Sequence, residues 1–380
     1  MIRRRNLLAG LAGIGALPAN AAGKNERLTI TRVEVTPVVV PMKEDSTTDP
    51  ETAESSRFDL VPKLILRIHT DSGITGIGET GRGESRDAVL RNAGSLRGKK
   101  VLDLNLARLD LPERAGYAAF EMALYDITGK ALGWPVYKLL GGLAQRKVLA
   151  GYWTGRRTPA GIRRVAERAL AGKFTSIKTK CAQGDPVVQC AEVLAEAAPG
   201  IKYIVDPNAR YKSFDAFLPV AKALDRIGNC LVFEDPFNKN DYEGYRKLRR
   251  EVKTHVALHL GDSRAMIRAI REDACSVFNT GGTPGMSGFV ANSYLAGAAG
   301  IPVWHGSGND CGIVDASYLH SCAASANCTM PSDLLSFLRE DDLIVEPIPI
   351  QDSYAIVSDR PGLGVELDQD AVERYRFKGV

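Results

Sequence analysis

The sequence predicts an α/β protein, a (β/α)₈ barrel with an α+β capping domain formed by the N-terminal region and the C-terminal tail. From about residue 149, short β-branched or apolar runs alternate with helical stretches, the pattern of parallel strands joined by crossover helices. Several of those runs end directly in a polar or charged residue, as barrel strands do where their carboxyl ends carry chemistry. The chain has 380 residues, 44% hydrophobic and 25% charged, so one large domain with a smaller companion is the expected organisation.

In chain order, Arg3-Arg4-Arg5 precedes an apolar stretch from Leu7 to Leu17 and then Pro18-Ala19-Asn20-Ala21-Ala22. This is a signal-peptide layout over residues 1–23, and Arg4-Arg5-Asn6-Leu7-Leu8 resembles the twin-arginine export pattern. A periplasmic location is expected, or a cytoplasmic one if this N-terminus is not a signal. The apolar stretch is too short to span a bilayer, and no later segment is long enough.

The capping domain is expected over residues 28–147. Leu28 to Pro41 and Leu64 to Glu79 are rich in β-formers, the second turning at Asp71-Ser72-Gly73, which suggests a small antiparallel sheet. The polar stretch Lys43 to Arg57 reads as a loop. Ala115 to Leu132 has helical spacing and ends at Gly133-Trp134-Pro135.

The barrel is expected over 148–343. Its strands are Val148 to Trp153, Phe174 to Lys180, Ile201 to Val205, Cys230 to Phe233, Val256 to Leu260, Cys275 to Phe278 and Ile301 to Trp304. An eighth run is not evident near Ser332 to Leu343. Residues 344–380 return to the cap, with strands expected at Tyr354 to Val357 and Leu363 to Leu367.

A net charge of +4, from 49 basic and 45 acidic side chains without a long run of either, gives no reason to expect a nucleic-acid partner. The seven cysteines are scattered and lack CxxC spacing, so they outline neither a disulfide framework nor a zinc site, although export would leave one pair possible. His69, His255, His259 and His320 are expected to be structural.

The strand ends carry the chemistry. Lys178-Thr179-Lys180 closes the second run, Asp206-Pro207-Asn208 follows the third, Glu234-Asp235-Pro236 the fourth, Asp262 the fifth and His305 the seventh. Taken singly, these are ordinary surface or turn sequences. Their order, with spacings of 26 to 28 residues from Lys180 through Asp206 and Glu234 to Asp262, makes them a constellation. Three converging carboxylates call for a hard divalent cation, Mg²⁺ with Mn²⁺ as a substitute. A carboxylate substrate on that cation could lose its α-proton, because the cation would stabilise the resulting enediolate. Lys178 and Lys180 lie two apart on a strand, face the same side, and should lower the pKa of one of the pair. Lys180 is expected to be the base, with Lys178 contacting the substrate carboxylate; such use of Lys with Mg²⁺ is already known for enediolate chemistry.

These residues, with Asp71 to Glu79, Ala123 to Lys130 and Leu139-Leu140-Gly141-Gly142, resemble the mandelate racemase and muconate lactonizing enzyme branch of the enolase superfamily. The resemblance implies an enolase-like barrel, Mg²⁺ on Asp206, Glu234 and Asp262, and a Lys-x-Lys element at Lys178 and Lys180. It also implies loops at Pro41 to Arg57 and Glu79 to Arg86 that close over substrate, and a homo-oligomer. The family's second ionisable group at the sixth strand is missing: Ser276 holds that position, or Asn279 if the alignment shifts. His305 lacks its usual carboxylate partner. Lys180 on one face and His305 on the other favour dehydration of an acid sugar. A racemase, epimerase or cycloisomerase is the alternative, and a non-catalytic carboxylate-binding protein is the reading from another class. Asp333 is expected as a donor to the substrate carboxylate, and Asn208 as a support beside the metal and substrate.

Overall fold

Three strands, β1 (Ile30–Pro41), β2 (Leu60–Thr70) and β3 (Thr75–Glu79), pair antiparallel in that order and open the computed structural model. It describes residues 28–43, 45, 47, 60–281 and 285–377. The export-like residues 1–23 and most of the loop before β2 lie outside these. Two helices, α1 (Arg86–Leu96) and α2 (Tyr117–Leu132), complete the cap. The chain leaves α2 at Gly133, whose left-handed φ of 68° lets its N–H reach the carbonyls of Gly129 and Lys130.

Strand β3 and helix α2 approach to backbone contact. A Cβ on Gly76 would collide with the Ala123 carbonyl, and one on Gly78 with that of Ala119, so glycine alternates with larger residues along β3 for a steric reason. Buried Asp126 on α2 accepts from Ile77 N (3.1 Å) and from Leu363 N of the tail (2.9 Å), fastening strand, helix and C-terminus to one carboxylate.

A short helix, α3 (Val136–Leu139), leads to β4 (Lys147–Leu149) and β5 (Tyr152–Thr154). The sequence reads these as one strand, but Ala150 N bonds Ser353 O (2.7 Å) and Gly151 N bonds Ser332 O (3.0 Å), so the chain changes sheets there. Then follow α4 (Pro159–Ala171), β6 (Ser176–Lys180), α5 (Val187–Ala197), β7 (Lys202–Asp206), α6 (Phe214–Ile227) and β8 (Cys230–Glu234). Helix α7 (Tyr242–Glu251), β9 (His255–His259), α8 (Ser263–Arg271), β10 (Val277–Asn279), α9 (Gly285–Ala298), β11 (Val303–Trp304) and α10 (Gly312–Ala323) complete the alternation. The seven strands from β5 to β11 are parallel and adjacent in sequence order. Ile204, Val232, Ala257, Val277 and Trp304, one from each of five successive strands, form a buried apolar cluster.

The eighth place is filled without a regular strand. Cys328 bridges Val303 of β11 and Ser332 bridges Ala150 beside β5, both in parallel sense, so residues 328–332 span the gap between the last strand and the first. Pro331 has no N–H to donate, and nothing in this stretch has a strand's residue pattern. In the tail, β12 (Ile350–Gln351) and β13 (Tyr354–Ile356) make a small sheet with β4. Leu363 to Leu367, expected as a strand, forms only the single bridge Ile344 to Leu367 before helix α11 (Gln369–Arg374). The return to the cap is made by Phe377 N to Pro37 O (2.9 Å) and Val39 N to Tyr375 O (2.9 Å).

Cap and barrel share a buried charge network. Lys63 of β2 bonds Asp310 and lies 3.3 Å from Glu79, while Glu79 accepts from the backbone of Cys311 (2.7 Å) and Val314 (3.2 Å) at the start of α10. Arg339 pairs with Asp315 and Asp342, both at 2.5 Å. His320, on the same helix, accepts from Tyr137 N (3.2 Å) at Nδ1 and bonds Leu363 O (3.1 Å) through Nε2, a set satisfied only by the neutral imidazole.

Gly76→Ala is expected to destabilise the fold by about 1–3 kcal/mol through forced separation of β3 from α2, measured as a lower urea midpoint with unchanged m-value. Burial lowers the His320 pKa to about 4. Stability from its neutral form is therefore fully present above about pH 6.5 and is lost as pH falls toward about 4. Between pH 7.5 and pH 5, His320→Gln should lose about 2 kcal/mol less unfolding free energy than the parent protein, measured by urea titration at both values.

Candidate active site

Strand β6 ends with Lys178 and Lys180 pointing to one side, and its neighbours β7 and β8 end in Asp206 and Glu234. Lys180 and Asp206 are register partners and form a direct ion pair. The Lys178 ammonium lies 2.7 Å from Glu234, 3.0 Å from Asp333 and 3.4 Å from Asp206, and 5.7 Å from the centre of the Trp304 ring. Asp333 follows the irregular eighth segment and reaches the cluster because its N–H bonds His305 O (2.8 Å). Asn208 is exposed, and its contribution is a backbone one: at φ 50° its N–H bonds Asp206 Oδ1 (3.0 Å).

Burial opposes every charge in this cluster, and neighbours decide which survive. Burial would raise Asp206, but the Lys180 and Lys178 ammoniums and the Asn208 N–H hold its carboxyl well below the usual range. Glu234 is raised by burial and by the Asp206 charge. Asp333 is raised by burial against the pull of Lys178. Burial favours a neutral Lys178, yet Asp333, Glu234 and Asp206 keep it protonated well above its ordinary value. Lys178 is therefore a countercharge, and the lowered lysine pKa expected from sequence is not found at this member of the pair. Lys180 is less enclosed, and its ion-pair partner among the described residues is Asp206.

Asp262 is not in the cluster. It is exposed and caps α8, accepting from Ala265 N (2.9 Å). Even spacing along the chain did not translate into convergence, because β9 ends at His259 and the next residues carry the chain outward to a helix that recruits an acidic N-cap. His259, read from sequence as structural, stands at the strand end instead. Donor atoms of Glu234, Asp235 and His259 all lie within 4.8 Å of one another. His259 Nε2 bonds Gly281 O (2.7 Å), which assigns the proton to Nε2 and leaves the Nδ1 lone pair 3.8 Å from Glu234 Oε1. Burial and the Lys239 ammonium lower this imidazole to about 4, so it is neutral.

Glu234 Oε2 and Asp235 Oδ2 are buried without an aligned hydrogen bond, balanced only by Lys178 and by Lys239 (2.6 Å). Carboxylate oxygens with free lone pairs beside a neutral imidazole fit a divalent cation, which would draw on Asp206, Glu234, Asp235 and His259. Neither Asp235 nor His259 was assigned this place from sequence. The usable signal was a histidine, His259, near the end of the apolar run Val256 to Leu260.

At the sixth strand, Ser276 lies before β10 and bonds the backbone of Val256 (3.1 Å). Asn279 ends the strand and is buried. It donates to Glu234 Oε1 (2.7 Å) and accepts from Gly281 N and Gly306 N (both 3.0 Å), an arrangement with no proton to exchange. His305 at the seventh strand end is buried between Phe289 and Tyr318, with ring centroids 4.7 and 3.5 Å away. Its Nδ1 is 2.7 Å from the Gly306 carbonyl, where a carboxylate partner would otherwise stand. Burial lowers it to about 4, so the imidazole is neutral with Nε2 as its open atom. Beside it, a cavity of about 210 Å³ lies between cap and barrel, lined by Glu79, Gly81, Glu84, Met286, Asp310 and Tyr318 among others. Within 28–377, no described helix is long and apolar enough to cross a membrane.

The chain matches the family described as mandelate racemase / muconate lactonizing enzyme, N-terminal domain, over residues 29–141, and that described as enolase C-terminal domain-like over 161–371. It is 32% identical over 266 residues to an N-succinylamino acid racemase of Thermus thermophilus, covering 68% of this chain and 70% of that protein. It is 27% identical to a probable glucarate dehydratase of Streptomyces coelicolor, covering 90% of each. The solved structure of muconate lactonizing enzyme from Pseudomonas fluorescens with muconolactone shares the fold, with a TM-score of 0.80 at 22% identity over 92% of this chain and 99% of that one.

Calorimetric titration with Mg²⁺ or Mn²⁺ should separate the acids. Asp206→Ala and Glu234→Ala are expected to weaken binding at least roughly tenfold, and His259→Ala by a similar order. Asp262→Ala should leave the affinity within about twofold and cost about 1 kcal/mol of stability from the lost helix cap.

Proposed function

Because the chain belongs to the mandelate racemase and muconate lactonizing enzyme branch of the enolase superfamily, whose enzymes are lyases and isomerases acting on carboxylates, we propose that it dehydrates an acid sugar by abstraction of the α-proton. A divalent cation on the acid cluster would stabilise the enediolate charge. Everything else is done by the chain itself. Lys180 takes the α-proton, and its ammonium, on the same face, returns that proton to the departing β-hydroxyl as water leaves. The enol that remains ketonises to a 2-keto acid. Lys178 and Asp333 hold the carboxylate end of the substrate through the charge that Lys178 retains.

The observation that carries elimination is the inequality of the two faces. One presents a lysine pair amid carboxylates; the other presents Asn279, which exchanges no proton, and a His305 that is neutral and without a carboxylate partner. The sequence reading sets Lys180 and His305 on opposite faces; we assign both proton transfers to Lys180 because burial favours the neutral His305 imidazole. Racemisation or epimerisation is the second reading, favoured by the open Nε2 of neutral His305, which could serve as an opposing base. We propose export as well, on the twin-arginine-like pattern and the apolar run that follows it.

With Mg²⁺ and a panel of mono- and diacid sugars in D₂O, proton NMR should report a 2-keto acid. Lys180→Ala should lower its formation by roughly 10³-fold or more, and His305→Asn by less than about tenfold. An α-deuterated or epimeric product without water loss, abolished equally by either substitution, would replace dehydration by the two-base reading. No turnover of any panel member would sink the acid-sugar assignment.

A further inference from the structure

Helix α10 ends in a turn that brings two cysteines together. Ser325 N bonds Cys322 O (3.0 Å) and Cys328 N bonds Ser325 O (3.1 Å), so the chain winds back on itself between the two. The Gln145 amide nitrogen then gathers three carbonyls, those of Cys322 (3.0 Å), Ser325 (3.2 Å) and Cys328 (2.8 Å), and pins both cysteine backbones to one atom. On the side-chain side, the sulfurs of Cys322 and Cys328 lie 3.8 and 3.7 Å from the same Ser332 hydroxyl. Both residues are buried.

From this convergence we propose that Cys322 and Cys328 are a redox modification site, closing to a disulfide that braces the seventh and eighth strand ends from behind. In the reaction two thiols lose two protons and two electrons to form one S–S bond, and a small-molecule disulfide oxidant takes them up as two thiols. The brace reaches the active site in one step. Ser332, between the sulfurs, accepts from His305 N (3.2 Å) and precedes Asp333, the partner of Lys178. Cys328 also bridges Val303 in the irregular eighth place of the barrel, where regular strand pairing is missing. Burial and the neighbouring Cys328 thiol push the Cys322 thiol up, so the bond should form as the chain folds and only slowly afterwards.

The test uses the full chain, refolded once in a mixture of oxidised and reduced glutathione and once in dithiothreitol, then alkylated under denaturing conditions. The dithiothreitol sample should label at all seven cysteines. After oxidative refolding, a chymotryptic fragment holding Cys322 and Cys328 should be unalkylated and about 2 Da lighter than the same fragment with two free thiols, the two hydrogens removed. The thermal midpoint should rise by about 2–5 °C, a gain absent from Cys328→Ser under the same treatment. Full labelling of Cys322 and Cys328 after oxidative refolding overturns the proposal, and so does pairing of either with another cysteine. A bridge that forms without raising the midpoint overturns the bracing role.

Discussion

The buried ammonium of Lys178 is the constraint on which the carboxyl end of the barrel depends. Asp206, Glu234 and Asp333 come from three places in the chain, and each is nearly sealed from water. A carboxylate in such surroundings costs several kcal/mol unless an opposite charge lies close, and removing that partner leaves the cost exposed. Lys178 touches all three and Lys180 adds a second ammonium at Asp206. The registers of β6, β7 and β8 are thereby fixed by electrostatics as well as by hydrogen bonding, since a one-residue slip would turn a charge into the apolar interior. The charges that would hold a cation and substrate are the same charges that hold the strand ends.

A second buried network ties the cap to the candidate site. Lys63 on β2 engages Asp310, Asp310 accepts from the Tyr318 hydroxyl (2.7 Å), and the Tyr318 ring stacks on His305. An ammonium of the capping sheet is thus three contacts from the imidazole at the seventh strand end. The other side of that ring meets Phe289. Ring position is set by packing and by the Gly306 carbonyl, so His305 is oriented without being charged, which matches its lowered pKa.

Much of this was legible in the sequence, because strand-end chemistry sits beside the apolar runs that mark the strands. Lys178 and Lys180 close their run, and Asp206, Glu234 and His305 each stand one residue beyond theirs. The failures have specific physical causes. Asp262 fitted an even spacing, but spacing counts residues and convergence depends on where the strand stops. His259 stops it, and the acid three residues later serves as a helix cap. Asn279, offered from sequence as the alternative to Ser276, is placed at the strand end by the register of β10 against β9, which pairs it with His259. The eighth barrel place escaped because Cys328 to Ser332 is held by neighbours on both sides, Val303 and Ala150, and is interrupted by Pro331, which strands disfavour.

The two faces of the site differ in what they can do with a proton, and the difference comes from the partners each strand end was given. On the lysine face every polar group is paired with an opposite charge, so protonation states there are strongly coupled, and a cation binding the carboxylates would release ammonium groups from their present partners. On the other face most partners are backbone: Asn279 spans two glycine N–H groups, besides its bond to Glu234, and His305 meets its neighbour's carbonyl. Backbone partners fix orientation but do not follow a change of charge. Under the proposed dehydration, proton movement would be concentrated on the lysine side, while the opposite side would supply shape beside the cavity next to His305. A reaction that takes and returns its proton on one face needs no more than this arrangement provides, whereas one that exchanges protons across the plane would require His305 to gain a charge in a pocket that stabilises its neutral form.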